Sequence, residues 1–85
     1  MTLQQRVKQF ILDNFYLSES ASLGDDTSLI AEGIVDSTGM LEVIGFLERE
    51  YGIAIRDDET TPENLETIGR IAVFVERKTR SAAAS

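Results

Sequence analysis

What chemistry this chain could do gathers around one serine. Ser37 follows Asp36 and directly precedes the apolar-periodic run Met40, Val43, Ile44, Phe46 and Leu47. A hydroxyl in that place has two uses. As a helix N-cap it accepts a backbone N–H, the ordinary role of serine before an amphipathic run. The other use would be chemical, something done to the hydroxyl itself. Unaided attack on a substrate is a poor third. The 85 residues include no histidine and no cysteine. That removes the usual base for a serine nucleophile, thiolate chemistry, disulfides and the common zinc sets. The carboxylates and two tyrosines form no recognisable catalytic set, so an enzyme is not expected. Asp25 and Asp26 lack the spacing of a calcium loop and read as capping and turn residues. No metal site is expected.

The formal net charge is −7, and it is unevenly spread. No basic residue lies between Lys8 and Arg49, whereas Asp13, Glu19, Asp25, Asp26, Glu32, Asp36, Glu42 and Glu48 all do. Such a surface repels nucleic-acid backbones and anionic lipids, and it attracts proteins with basic docking patches. The longest apolar runs are too short to cross a bilayer, and none follows the amino terminus. A cytoplasmic monomer is the expectation.

The elements that must position Ser37 follow from capping and periodicity. Thr2 and Gln5 fit a capping box opening a helix from about Leu3 to Tyr16, with Leu3, Val7, Phe10 and Ile11 on one face and Leu17 extending it. Ser18 to Asp36 is a long first loop, tethered through Leu23, Leu29, Ile30, Ile34 and Val35; loops of that length are often functional. A second helix runs from Ser37 to Tyr51 and stops at Gly52, a residue suited to a left-handed cap. Met40, Val43, Ile44, Phe46, Leu47 and Tyr51 share its inward face, leaving Ser37, Leu41, Glu42, Gly45 and Glu48 on a second side. Ile53-Ala54-Ile55 reads as an extended connector. Thr61-Pro62-Glu63 is a helix-start signal for a short third helix. The last helix begins near Thr67, with Ile68, Ile71, Ala72 and Val75 inward and Arg77 and Lys78 near its negative end. The fold class is all-α: a small four-helix bundle of three main helices and one short one. Residues 1–80 form the domain, and 81–85 a disordered tail.

Gly33-Ile34-Val35-Asp36-Ser37, the acid-bearing helix that ends in Glu50-Tyr51-Gly52-Ile53, and Pro62-Glu63-Asn64-Leu65-Glu66-Thr67-Ile68 together resemble the acyl carrier proteins, in the right order and over nearly the whole chain. The resemblance implies that Ser37 carries 4′-phosphopantetheine, transferred from coenzyme A by a phosphopantetheinyl transferase. It also implies a loading ligase or transferase, and downstream biosynthetic enzymes that receive an acyl thioester. The partner-binding face would comprise Asp36, Thr38, Leu41, Glu42, Gly45 and Glu48. Thr38 stands where fatty-acid carriers usually have leucine, and Gly39 and Gly45 put two flexible residues in the recognition helix. The stretch Asp36 to Leu41 looks more like freestanding carriers of specialised pathways than the housekeeping fatty-acid protein. The lead-in to Ser37 lacks the Gly-Gly-His-Ser or Gly-Gly-Asp-Ser pattern of peptidyl carriers, which favours an acyl load and leaves an aminoacyl one open. The alternatives are an aminoacyl or peptidyl carrier loaded by an adenylating ligase, and an unmodified acidic interaction module. For an apolar cargo, Phe10, Val43, Ile44, Phe46, Leu47, Ile68, Ile71 and Val75 are the expected lining.

Overall fold

The computed structural model describes residues 2–15 and 23–84, with side chains as far as Arg80. Its elements are α1 (Leu3–Asn14), α2 (Ser37–Tyr51), a 3₁₀ turn (Asp57–Glu59), α3 (Pro62–Leu65) and α4 (Ile68–Ala84), with no strand among the described residues. The fold is an all-α bundle.

Helix α1 starts where the capping box requires: Gln5 N donates to Thr2 Oγ1 at 3.2 Å, and Thr2 N donates to Gln5 Oε1 at 2.9 Å. It ends at Asn14, earlier than its apolar face suggests, because Phe15 turns extended at φ −125° while still donating to Ile11 O. Tyr16 and Leu17 lie outside the described residues. Helix α2 closes on Gly52, whose φ of 64° is the left-handed value that favours glycine. Pro62 opens α3 at a position where its missing N–H costs nothing.

Helix α4 is the hub against which α1, α2 and α3 all pack. Its Ile68, Ile71, Ala72 and Val75 are buried as their spacing predicts, and so is Phe74. Val7 and Ile11 of α1 and Val43 and Leu47 of α2 complete the centre, while Met40, Ile44, Phe46 and Tyr51 are half-buried against it. Phe10 of α1 stacks on Phe46 of α2 with ring centroids 4.2 Å apart. Arg6 of α1 pairs with Glu50 of α2 beside them. Burial raises the Tyr51 hydroxyl above its ordinary pKa, with the Arg6 guanidinium pulling the other way.

The loop before α2 is tethered by Leu23, Leu29, Ile34 and Val35, all buried; Ile30 is not, at 50% exposed. Two backbone bonds fasten it: Leu29 N to Glu66 O at 2.9 Å, and Gly69 N to Asp25 O at 3.0 Å.

The carboxyl end departs from expectation. Helix α4 continues through residues 81–84, past the point where composition places a tail. Arg77 and Lys78 are therefore interior to the helix, not beside its last carbonyls. Lys78 instead bonds the Glu59 carboxylate at 2.8 and 3.1 Å, pinning the 3₁₀ turn to α4.

Candidate functional site

Asp36, not Ser37, caps α2. The Asp36 backbone is extended, and its Oδ1 accepts from Gly39 N at 2.6 Å. Aspartate and serine are close in N-cap preference. With the two adjacent, sequence spacing had no means of choosing between them. The consequence is chemical. Ser37 occupies the first helical position, is exposed, and has no hydrogen bond to its hydroxyl among the described residues. The ordinary structural use of that serine is already taken by its neighbour.

Gly39 explains the tightness of this corner. A Cβ there would come within 2.5 Å of Phe15 Cε1 and 3.1 Å of Asp36 Oδ1. The edge of the Phe15 ring thus lies against the α2 backbone two residues beyond Ser37. Gly39 is a close-packing residue, which its reading as a flexible one missed. Gly45 is different: a Cβ would meet only Arg49 Nη1, at 3.8 Å.

The expected partner face divides in two. Asp36, Ser37, Thr38, Leu41 and Glu42 are exposed, with Leu41 at 68%. Gly45 and Glu48 are half-buried, and Glu48 Oε2 accepts from Ile55 N at 2.9 Å. Glu48 therefore holds the connector after α2.

Beside Ser37 lies a groove of about 570 Å³ between α2 and α3, lined by Ile30, Met40, Leu41, Ile44, Ile55 and Leu65 among others. Of the residues expected to line a cargo site, only Ile44 is here. Val43, Leu47, Ile68, Ile71 and Val75 are fully buried in the packed centre. The groove draws instead on loop and connector residues, Ile30 and Ile55, whose aperiodic surroundings gave no sequence signal. Asp57, Thr60 and Thr61 also line it. Next to them, Glu59 accepts from Lys78 Nζ and from Arg56 N, which holds its carboxyl below the usual glutamate range against a smaller opposing effect of burial. No group of acidic, histidine or cysteine side chains among the described residues is placed to hold a metal. No described helix is long and apolar enough to cross a membrane.

No protein-family model matches the chain. An acyl carrier protein of Lactobacillus acidophilus is 31% identical over 70 residues, spanning 82% of this chain and 84% of that protein. A probable acyl carrier protein, PigG of Serratia sp., is 28% identical over 75 residues, 88% of this chain and 86% of its own. A D-alanyl carrier protein of Abiotrophia defectiva is 32% identical over 53 residues, 62% of this chain and 67% of its own. In a solved structure described as that of an FAD-dependent dehydrogenase, one chain superposes with a TM-score of 0.66 at 23% identity, covering 86% of this chain and 97% of that one. That likeness speaks for the fold alone. A helical bundle with an exposed serine at the start of an acid-bearing helix, together with the Lactobacillus match over most of both chains, places this protein in the acyl carrier protein family, as a carrier and not an enzyme.

Proposed function

We propose that Ser37 carries 4′-phosphopantetheine and that the arm's thiol holds an acyl intermediate for delivery to partner enzymes of fatty-acid, polyketide or specialised-metabolite biosynthesis. The observation that carries this reading is the division of labour at α2, with Asp36 capping and Ser37 left exposed, its hydroxyl without a hydrogen bond among the described residues. A phosphodiester on Ser37 would lie at the open end of a 15-residue helix, where the dipole stabilises an anion. The Asp36 carboxylate is drawn back onto Gly39 N, so it is already engaged with that helix end. The group would supply the thiol that this cysteine-free chain lacks. In the transfer Ser37 Oγ displaces adenosine 3′,5′-bisphosphate from coenzyme A, and with no histidine in the chain its proton goes to a base of the phosphopantetheinyl transferase.

The groove beside Ser37 supports an apolar acyl load. Each methylene moved there from water gains about 0.8 kcal/mol. Because the groove already exists, such a chain need not part the closed core. A second reading, an aminoacyl load placed by an adenylating ligase, is favoured by the D-alanyl carrier relative. Asp57, Thr60 and Thr61 would give its ammonium polar company at the groove.

Incubation with coenzyme A and a broad-specificity transferase, followed by intact mass, tests the attachment. The wild-type chain should gain one phosphopantetheine and Ser37→Ala none. Modification persisting in a folded Ser37→Ala variant would end the assignment.

A further inference from the structure

One stripe of α4 gathers arginines in an otherwise acidic molecule, with exposed Glu76 at its edge. Arg70, Val73, Arg77 and Arg80 are spaced i, i+3, i+7 and i+10, and all four are exposed. At 100° per residue they fall within about 80° of arc, a stripe roughly 15 Å long. Val73 is 63% exposed between its arginines. Among the described residues none of the three arginines joins an ion pair, whereas Lys78 on the same helix is engaged by Glu59. Arg77 is held in place: its Nη2 donates to Asn64 Oδ1 at 3.2 Å, and its guanidinium carbon lies 5.9 Å from the centre of the Phe74 ring. Arg70, Val73 and Arg77 also line a groove of about 630 Å³ with Asn64 and Phe74, distinct from the one beside Ser37. The chain carries 15 acids against 8 bases, so three aligned arginines without an acidic partner are notable in composition as well as in place.

The geometry points to this stripe as a second docking face, whose occupant is a partner protein presenting an acidic, apolar-centred helix of about three turns. Charge complementarity selects the acid, and exposed Val73 asks for an apolar residue between the acids. Asp26, Glu63 and Glu66 line the rest of the groove and oppose a carboxylate there, so the partner's acids are to be met on α4 itself, at Arg70, Arg77 and Arg80. An extended polyanion is a poorer fit. A membrane surface or nucleic acid reaches beyond the stripe to meet a molecule of net charge −7. A short segment does not, because surface charges farther off than about 10 Å are screened. The partner would bind without covering the exposed side of α2.

The test uses the full chain, isotope-labelled, and a designed helical peptide of roughly 15 residues with glutamates flanking leucine on one face. The peptide should shift amide resonances of residues 66–80 and leave those of 36–48 in place. The charge-reversed variant Arg70→Glu/Arg77→Glu/Arg80→Glu should weaken it by about tenfold or more, and the matching lysine variant should restore most of the affinity. Circular dichroism and Ser37 labelling, unchanged in both variants, separate this face from the carrier role. Four outcomes overturn the proposal: no shifts, shifts confined to α2, equal binding of a scrambled peptide of the same composition, or retained binding by the glutamate variant. Binding to phosphatidylglycerol vesicles would replace the protein partner with a lipid surface. Shifts at residues 66–80 that grow with protein concentration alone would replace it with a second copy.

Discussion

Adjacent residues share the start of α2, and substitution should separate their roles. Asp36→Ala removes the side chain that accepts from Gly39 N, and should cost about 1 kcal/mol of stability. Ser37→Ala removes a hydroxyl with no hydrogen bond among the described residues, and should stay within about 0.5 kcal/mol of wild type while abolishing labelling. Urea unfolding beside intact mass reads both; a Ser37→Ala variant as unstable as Asp36→Ala would return the cap to the serine. The two glycines of α2 should also behave oppositely. At Gly39 a methyl group meets the Phe15 ring and the capping carboxylate, an overpacking that costs about 1–3 kcal/mol. At Gly45 the space is open, so alanine should stabilise by up to about 1 kcal/mol through helix propensity. Melting temperatures that moved in the same direction would contradict the packing described for this corner.

Between α2 and α4, the connector, 3₁₀ turn and α3 form the far wall of the groove, and one ion pair anchors them. The Glu59 carboxyl titrates lower in the folded protein than in the unfolded chain. Its contribution is therefore complete above the unfolded carboxylate value of about 4.3, and is lost as pH falls through the lower folded value. Lys78→Gln should be less stable than wild type at neutral pH, with the gap closing on acidification. A gap independent of pH would show that Lys78 acts through its stem alone. A saturated acyl cargo should shift the methyl resonances of Ile30, Ile44, Ile55 and Leu65 in methyl NMR, leaving Val43, Ile71 and Val75 nearly unmoved; the reverse pattern would place the chain in the core. Sequence periodicity anticipated the helices well, because capping boxes, Pro62 and Gly52 are local signals. It correctly put Ser37, Leu41 and Glu42 on the exposed side of α2 for the same reason, but not Gly45 and Glu48, which are half-buried. The groove was not legible, since Ile30 and Ile55 lie in aperiodic segments where exposure is decided by what packs behind them. Phe74 and the continuation of α4 past Arg80 were also missed, the first as one residue in an apolar run and the second because small residues read as tail and helix alike.

Across the whole molecule, charge is segregated: acids dominate from Asp13 to Glu48, and four of the eight bases lie on α4. Docking through α2 should therefore depend on salt, and Glu42 is the clean probe because it is exposed and has no bond among the described residues. Glu42→Lys should slow association with a phosphopantetheinyl transferase, and moderate salt should shrink the difference from wild type. Glu48→Lys should in addition lower the melting temperature, because it breaks the bond to Ile55 N. Equal kinetics for wild type and Glu42→Lys at low salt would reduce the acidic face to solubility. The two ties that fasten the loop ahead of Ser37 run from main chain to main chain, Leu29 to Glu66 and Gly69 to Asp25. The hydrogen bonds themselves do not depend on side-chain identity, except that a Cβ at Gly69 would come to 3.3 Å from Asp25 O. Substitutions can therefore accumulate at the exposed positions of this loop over evolutionary time without moving the serine it delivers, whereas its buried Leu23, Leu29, Ile34 and Val35 are held to apolar residues by the core they enter. Drift should be slow at those four and at Gly69.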